Sequence, residues 1–163
     1  MSISLQGDVL PGGNDSLGMS APTASGFDLL TTDEVVVPDV GGRPTAILFA
    51  PLADWCPHCP QHVEDVAEYL AAGNTIPPAI HVVAVVSYDN PSAQYPQNEW
   101  LAGLGWTIPT LVEPSTADIG RAYALVSVPT WVLIDPDGNV AGFADGHVAD
   151  VADVIAQTVA LAG

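Results

Sequence analysis

The chain has 163 residues, a length that suits one domain with a core of ordinary size. Hydrophobic residues make up 48% of it, which is the composition of a folded protein rather than a disordered one. Nineteen acidic residues stand against two basic ones, and the net charge of −17 excludes nucleic acid and argues against an anionic membrane surface as a ligand.

The acidic surplus has two interpretations. It can attract a basic partner, or it can be a soluble surface adapted to salt or set by genome composition. We favour the second, because net charge governs solubility rather than fold.

The first 26 residues are predicted to be a flexible tail or linker. They are rich in Gly, Ser, Pro, Asp and Asn and show no hydrophobic period. They lack the basic and apolar regions of a secretory signal, and no apolar run in the chain approaches the roughly 18 residues that span a bilayer. We therefore expect no membrane insertion by this chain, and an export segment of the natural protein would lie outside it.

Residues 27–163 are predicted to form one α/β domain. An N-terminal hairpin over 27–40 is followed by a buried strand at 45–50, a helix over 57–72 and a second buried strand at 80–87. The remaining predicted elements are a helix near 97–104, a short strand at 111–112, a short helix at 117–123, a strand at 130–134, a turn at 135–138, a returning strand at 139–144 and a helix at 148–161.

This order predicts a parallel βαβ half followed by an antiparallel ββα half. The two halves share one mixed central sheet with helices on both faces. The predicted buried stripe of the last helix consists of Val148, Val151, Ile155 and Val159.

The only two cysteines, Cys56 and Cys59, are three positions apart. A disulfide between them closes a tiny loop and adds little stability, which favours redox or metal chemistry. At the predicted helix N-terminus, unpaired N–H groups and the helix dipole favour a Cys56 thiolate, the nucleophile of disulfide exchange. Cys59, one turn on, can resolve the mixed disulfide. A short structural disulfide or half of a zinc site are the alternatives, and no second cysteine pair exists for zinc.

Pro57 and His58 separate the two cysteines. Pro57 suits the first turn of a helix. His58 can donate to the thiolate and carries partial charge near neutral pH, which lowers the pKa of Cys56 and makes the oxidised pair a stronger oxidant. Asp54 and the acidic surface act in the opposite sense, although distant charges are screened by salt. The alternative is an exposed His58 without a role.

Three segments together carry a family resemblance: WCPHC at residues 55–59, SVPT at 127–130 and WVLIDPDG at 131–138. They resemble the thioredoxin superfamily, and over residues 27–163 the chain is similar to its TlpA/ResA-like, extracytoplasmic branch. The Pro-His dipeptide is similar to that of the strongly oxidising DsbA-type proteins. The resemblance implies a thioredoxin fold, a redox-active Cys56–Cys59 disulfide with no other cofactor and no metal, protein thiols or disulfides as substrates, and an extracytoplasmic location. A membrane-bound or soluble redox partner would recharge the pair.

The resemblance also implies roles for individual residues. Pro129 follows a cis bond and packs against the cysteines, and Val128 offers its backbone to the substrate chain. Trp55, Pro57 and Thr130 are assigned to the substrate surface. The alternative for Pro129 is an ordinary trans proline that opens an edge strand.

Among the positions at which the chain departs from the family, two concern groups that could move a proton near the cysteines. Ala50 stands where cytoplasmic thioredoxins carry a buried Asp, and His62 stands where ResA-like proteins carry a Glu. On the predicted helix, His62 lies three residues past Cys59 and can shuttle the Cys59 proton. A solvent-facing His62 is the alternative.

The predicted function is thiol–disulfide exchange with protein substrates. Pro57 and His58 favour oxidation of substrates, whereas the TlpA/ResA resemblance favours specific reduction. Two other classes stay open: a Cu(I)-binding chaperone that uses both cysteines with His147 as a third ligand, and a redox-inert interaction domain. Peroxidase chemistry is disfavoured, because the third residue before Cys56 is Ala53 and not Thr or Ser.

Overall fold

The computed structural model describes residues 3–52, 55–88, 97–114 and 116–163. Its central sheet has five strands: β4 (Thr45–Phe49), β5 (His81–Tyr88), β6 (Thr110–Pro114), β7 (Thr130–Ile134) and β8 (Val140–Asp145). Their order is β6-β5-β4-β7-β8, with β4, β5 and β6 parallel and β7 and β8 antiparallel to their neighbours. The predicted mixed sheet is therefore confirmed.

A separate antiparallel sheet lies N-terminal to the central one. It consists of β1 (Ser4–Gln6), β2 (Thr23–Phe27) and β3 (Glu34–Val37), in the order β1-β2-β3. The predicted hairpin over 27–40 contains β3, whereas its partner strand β2 ends at Phe27, where the prediction began. Asp28, just after β2, ties this sheet to the central one: its Oδ1 accepts the backbone N–H of Thr110 at 2.6 Å.

Helices cover both faces of the central sheet. The middle strands β4 and β7 are therefore buried on both sides. On one face, α1 (His58–Ala71), α2 (Gln97–Gly103) and α4 (Val151–Ala160) contribute to one apolar cluster. On the other face, α3 (Asp118–Ala122) and the N-terminal sheet contribute to a second cluster. None of the helices described is long and apolar enough to cross a membrane.

The stretch before residue 27, expected to be a tail without regular structure, is folded in the structure from residue 3 onward. Besides β1 and most of β2, it holds a short 3-10 helix over Gly13–Ser16, and Leu10 and Ala24 are buried in the second cluster. Residues 18–21 pair with the start of β8: the N–H of Gly18 donates to the carbonyl of Val140 at 2.8 Å.

The predicted buried stripe of the last helix is wrong at its two ends. The helix begins only at Val151, because the side chain of Asp150 caps it by accepting the N–H of Ala152 at 2.8 Å. Val148 therefore precedes the helix and is 84% exposed, and Val159 is 37% exposed. The residues that α4 buries are Val151, Val154, Ile155 and Thr158.

Candidate active site

The two cysteines lie where the chain passes from β4 into α1, as the motif predicted. Cys56 and Cys59 form a disulfide with a Cα–Cα distance of 5.5 Å, and both residues are buried. The N–H of Cys59 donates to the carbonyl of Cys56 at 3.2 Å, which tightens the turn. Ala53 and Asp54, on which two sequence arguments rested, lie outside the described residues.

The start of α1 explains how two prolines fit beside the cysteines. Pro57 has φ −66° and ψ −26° and directly precedes the helix, which begins at His58. Pro60 is therefore the third residue of the helix. Backbone N–H groups in the first turn have no partner inside the helix, so neither ring removes a helical hydrogen bond.

A second segment faces the disulfide from the start of β7. The Val128–Pro129 peptide bond is cis, and the carbonyl oxygen of Val128 lies 3.7 Å from Sγ of Cys56. Thr130 is buried, and its hydroxyl donates to the carbonyl of Ser127 at 2.8 Å. Cys56 and Val128, which are 72 residues apart in sequence, thus lie side by side in the fold.

Gly146 supports the backbone of this second segment, and sequence reasoning missed it. Its N–H donates to the carbonyl of Pro129 at 2.9 Å. A β-carbon at this position would stand only 2.8 Å from Cγ of Pro129 and 2.9 Å from its carbonyl oxygen, so something would have to shift. The only signal in the sequence is a glycine just past the predicted end of β8.

Replacing Gly146 with alanine is expected to displace Pro129 and disturb the surface beside Cys56. We expect a loss of about 1–3 kcal/mol in the free energy of unfolding, as for other overpacked sites, and slower thiol exchange. Urea unfolding and a peptide-disulfide exchange assay measure the two effects. Gly142→Ala, within β8, is the control, because its β-carbon would meet only Leu133 at 4.0 Å. Equal behaviour of both variants would contradict this account.

Exposed and apolar groups surround the disulfide. Trp55 is 61% exposed, and Pro57 is exposed beside it. Trp55 and Val128 both line a cavity of about 150 Å³. This arrangement can accept part of a second chain next to the cysteines.

The same cavity is lined by Glu113, a buried carboxyl that the sequence analysis did not single out. Its Oε2 accepts the N–H groups of Ile119 at 2.7 Å and Gly120 at 3.2 Å. Burial raises the pKa of Glu113, and these two hydrogen bonds act in the opposite sense. The carboxyl caps α3, because Ala117 at the N-cap has no side-chain oxygen to do so.

His62 is buried in α1 and not solvent-facing, since only 1% of it is exposed. The indole N–H of Trp131 donates to its Nε2 at 2.7 Å, so Nδ1 carries the proton of the neutral ring. Nδ1 has no hydrogen-bond partner and lies 3.8 Å from Oδ2 of Asp65. Burial lowers the pKa of His62, although the carboxylate of Asp65 acts in the opposite sense.

His58 lies at the surface and contacts a histidine from the loop after β8. The ring centroids of His58 and His147 are 4.6 Å apart, with the planes inclined at 63°. Nδ1 of His147 lies 2.8 Å from Oδ1 of Asp145. The sequence analysis had considered His147 only as a copper ligand. Among the residues that the structure describes, no three His, Cys, Asp or Glu side chains form a group that can hold a metal ion.

Comparison with known proteins gives a family and a fold. The model of the AhpC/TSA family matches residues 17–143 of the chain. No curated protein is significantly similar to it in sequence.

Solved structures resemble the chain over most of its length. The thioredoxin domain of a thiol-disulfide oxidoreductase from Bacteroides vulgatus has 17% identity and a TM-score of 0.64, over 90% of this chain and 98% of that one. StoA from Bacillus subtilis has 16% identity and a TM-score of 0.65, over 90% and 99%. The exposed lipoprotein thioredoxin from Streptococcus pneumoniae has 24% identity and a TM-score of 0.60, over 83% and 96%. At these identities the likeness shows a shared thioredoxin-like fold.

Proposed function

Since the chain belongs to the AhpC/TSA family, and its only two cysteines form a disulfide at the start of a helix, we propose that it is a thiol–disulfide oxidoreductase acting on proteins. The observation that carries the proposal is that Sγ of Cys56 lies 3.7 Å from the backbone carbonyl oxygen of Val128, beside the exposed Trp55. A substrate chain lying along Val128 would bring its own sulfur next to Cys56.

The exchange proceeds in two balanced steps. In the reducing direction, the Cys56 thiolate attacks a substrate disulfide, one substrate sulfur leaves as a thiolate, and a mixed disulfide forms. Cys59 then loses its proton and attacks Sγ of Cys56, which releases the second substrate thiolate and closes the Cys56–Cys59 disulfide. Two electrons pass from the pair to the substrate, and the oxidising direction is the same sequence reversed.

The N-terminus of α1 favours the thiolate of Cys56 in either direction. The first backbone N–H groups of a helix carry partial positive charge, which stabilises an anion there. His58, the first residue of α1, is exposed next to the buried Cys56. We propose that it lowers the pKa of Cys56 and makes the disulfide more oxidising.

We propose that His62 accepts the proton that Cys59 loses. This requires one change in the structure. A neutral imidazole has a single acceptor nitrogen, and in His62 this nitrogen accepts from Trp131 at 2.7 Å. Taking the Cys59 proton therefore requires the hydrogen bond to Trp131 to open. The nearby Asp65, 3.8 Å from Nδ1, would stabilise the charged ring once it forms.

The remaining assignments rest on resemblance. We place the chain in the TlpA/ResA-like branch and outside the cytoplasm, as a partner of exported protein thiols and disulfides, with an unidentified redox partner that recharges the pair. One of the structurally similar proteins, from Streptococcus pneumoniae, is an exposed lipoprotein. Trp55, Pro57 and Val128 would form the substrate surface, and the buried Pro129 and Thr130 would support it from beneath.

Cu(I) binding by the two cysteines is the second candidate function. His147, the third ligand it needs, contacts His58 at the active-site end, although in the disulfide form the two cysteines and His147 do not group as a metal site among the residues that the structure describes. Two thiolates and an imidazole suit Cu(I). A Cu(I) titration of the reduced protein tests this, since a 1:1 complex that weakens in His147→Ala would support it.

The equilibrium reduction potential of Cys56–Cys59 against glutathione tests the main proposal, with the pKa of Cys56 from thiolate absorbance. A potential near about −120 mV, with a pKa well below about 6, identifies an oxidant of proteins. A potential near or below about −270 mV identifies a specific reductant and contradicts the role given to His58. Absence of any exchange with glutathione would overturn the enzyme proposal.

A further inference from the structure

The loop after β8 places a second histidine against the one in the active-site motif. The rings of His147 and His58 meet edge to face at 4.6 Å, next to the buried Cys56–Cys59 disulfide. Both histidines are at the surface. An exposed imidazole samples several rotamers, so a fixed neighbour decides how often its ring points toward the cysteines.

Asp145 fixes the orientation of His147. Its Oδ1 accepts the backbone N–H of His147 at 2.9 Å and lies 2.8 Å from Nδ1. A carboxylate only accepts, so Nδ1 carries the proton and Nε2 of the neutral ring keeps its lone pair. Asp145 is ionised at neutral pH, and the two hydrogen bonds hold its pKa below the usual value.

We propose that His147, oriented by Asp145, is a positioning residue that holds the His58 ring where it can donate to the Cys56 thiolate in the reduced protein. This inference rests on the proposed thiol–disulfide exchange. The reduced form needs an ordered His58 ring, whereas the disulfide form has no thiolate to receive its N–H. Losing His147 therefore destabilises the reduced form selectively and makes the disulfide a weaker oxidant.

Four variants separate positioning from charge. His147→Ala and Asp145→Ala are each expected to lower the equilibrium constant for oxidising glutathione about threefold, the size of one side chain's lost rotamer freedom. Both should also raise the pKa of the Cys56 thiolate. Asp145→Asn keeps an acceptor for His147 and should retain the wild-type constant. Asp137→Ala, in the turn at the other end of the β7–β8 hairpin, removes the same charge as Asp145→Ala and should leave the constant unchanged.

The pKa of Cys56 in each variant is compared with that in the wild-type protein, because other titratable groups lie near the site. His62 and Asp65 of α1 face the same end of the site, with His147 acting on the charge of His62. The double variant of His147 and Asp145 should lose no more than either single variant, since the two residues act as one unit.

Two results would overturn this inference while leaving the proposed function intact. One is an unchanged potential in His147→Ala and Asp145→Ala, in a protein that exchanges normally with glutathione. The other is a loss in Asp145→Asn equal to that in Asp145→Ala, which would assign the effect to charge. A wild-type protein that does not exchange with glutathione would overturn the proposed function, and this inference with it.

Discussion

Replacing Cys56 with serine is expected to reduce disulfide exchange at least about a thousandfold, because a hydroxyl does not replace the thiolate nucleophile. Replacing Cys59 with serine should have a different result. Cys56 would still attack the substrate, but nothing would resolve the mixed disulfide, so the covalent complex should accumulate. Non-reducing electrophoresis with a disulfide-containing peptide measures both.

The two serine variants are matched controls for each other. Each removes the same Cys56–Cys59 disulfide and differs only in which sulfur remains. A general effect of losing the disulfide would therefore appear equally in both. If Cys59→Ser forms no trapped complex while Cys56→Ser does, the roles of the two cysteines are exchanged and the proposed mechanism is wrong.

The free energy of unfolding is expected to fall as the pH drops below about 6.5. Burial lowers the pKa of both His62 and His81 in the folded protein. Between that lowered value and the ordinary one, the unfolded chain binds more protons than the folded chain, so acid favours unfolding. Each histidine contributes a slope of at most about 1.4 kcal/mol per pH unit, so we expect a measurable loss of stability between pH 7 and pH 5.5.

Two carboxyl groups also contribute to the pH dependence of stability, and their contributions differ from those of the histidines. The pKa of Asp39 is lowered to about 2 by its hydrogen bonds with Arg43, so its contribution is lost only below the ordinary aspartate range. Glu113, whose pKa burial raises, opposes the histidines as the pH falls.

Glutamine variants of the two histidines test the assignment. His62→Gln can still accept from Trp131, and His81→Gln can still donate to the carbonyl of Val36, which lies 3.2 Å from Nε2 of His81. Urea unfolding at fixed salt and several pH values measures the slope. Each single variant should lose about half of the pH dependence and the double variant nearly all of it. A double variant as pH-sensitive as wild type would contradict the prediction.

The central domain could be predicted from the sequence because its signals are local. Unbroken apolar runs mark β4 and β5, which are buried on both faces, and the turn residues after β7 mark the hairpin with β8. β1 and most of β2 were missed because they are short and lie in a stretch rich in Gly, Ser and Pro. The burial of Leu10 and Ala24 depends on a surface that the rest of the chain builds.

Within the site, only the features of the WCPHC segment at residues 55–59 could be predicted from the sequence. The motif itself predicted the disulfide and its place before α1. Whether His62 faces solvent depends on Trp131, which comes from a distant strand and donates to it. The sequence predicted the β7–β8 hairpin, but not that the residues just past β8 would lie beside the site, with Gly146 against Pro129 and His147 against His58.

The folded N-terminal stretch has a consequence for how separate copies of this chain meet. The outermost strands of an open sheet carry unpaired N–H and carbonyl groups, which can recruit strands from other molecules and start aggregation. At the start of β8 these groups are already taken: Val140 donates to the carbonyl of Met19, and its own carbonyl accepts from Gly18. The segment at 18–21 thus occupies the first residue of this edge strand and shortens the edge with which a strand of another molecule can pair.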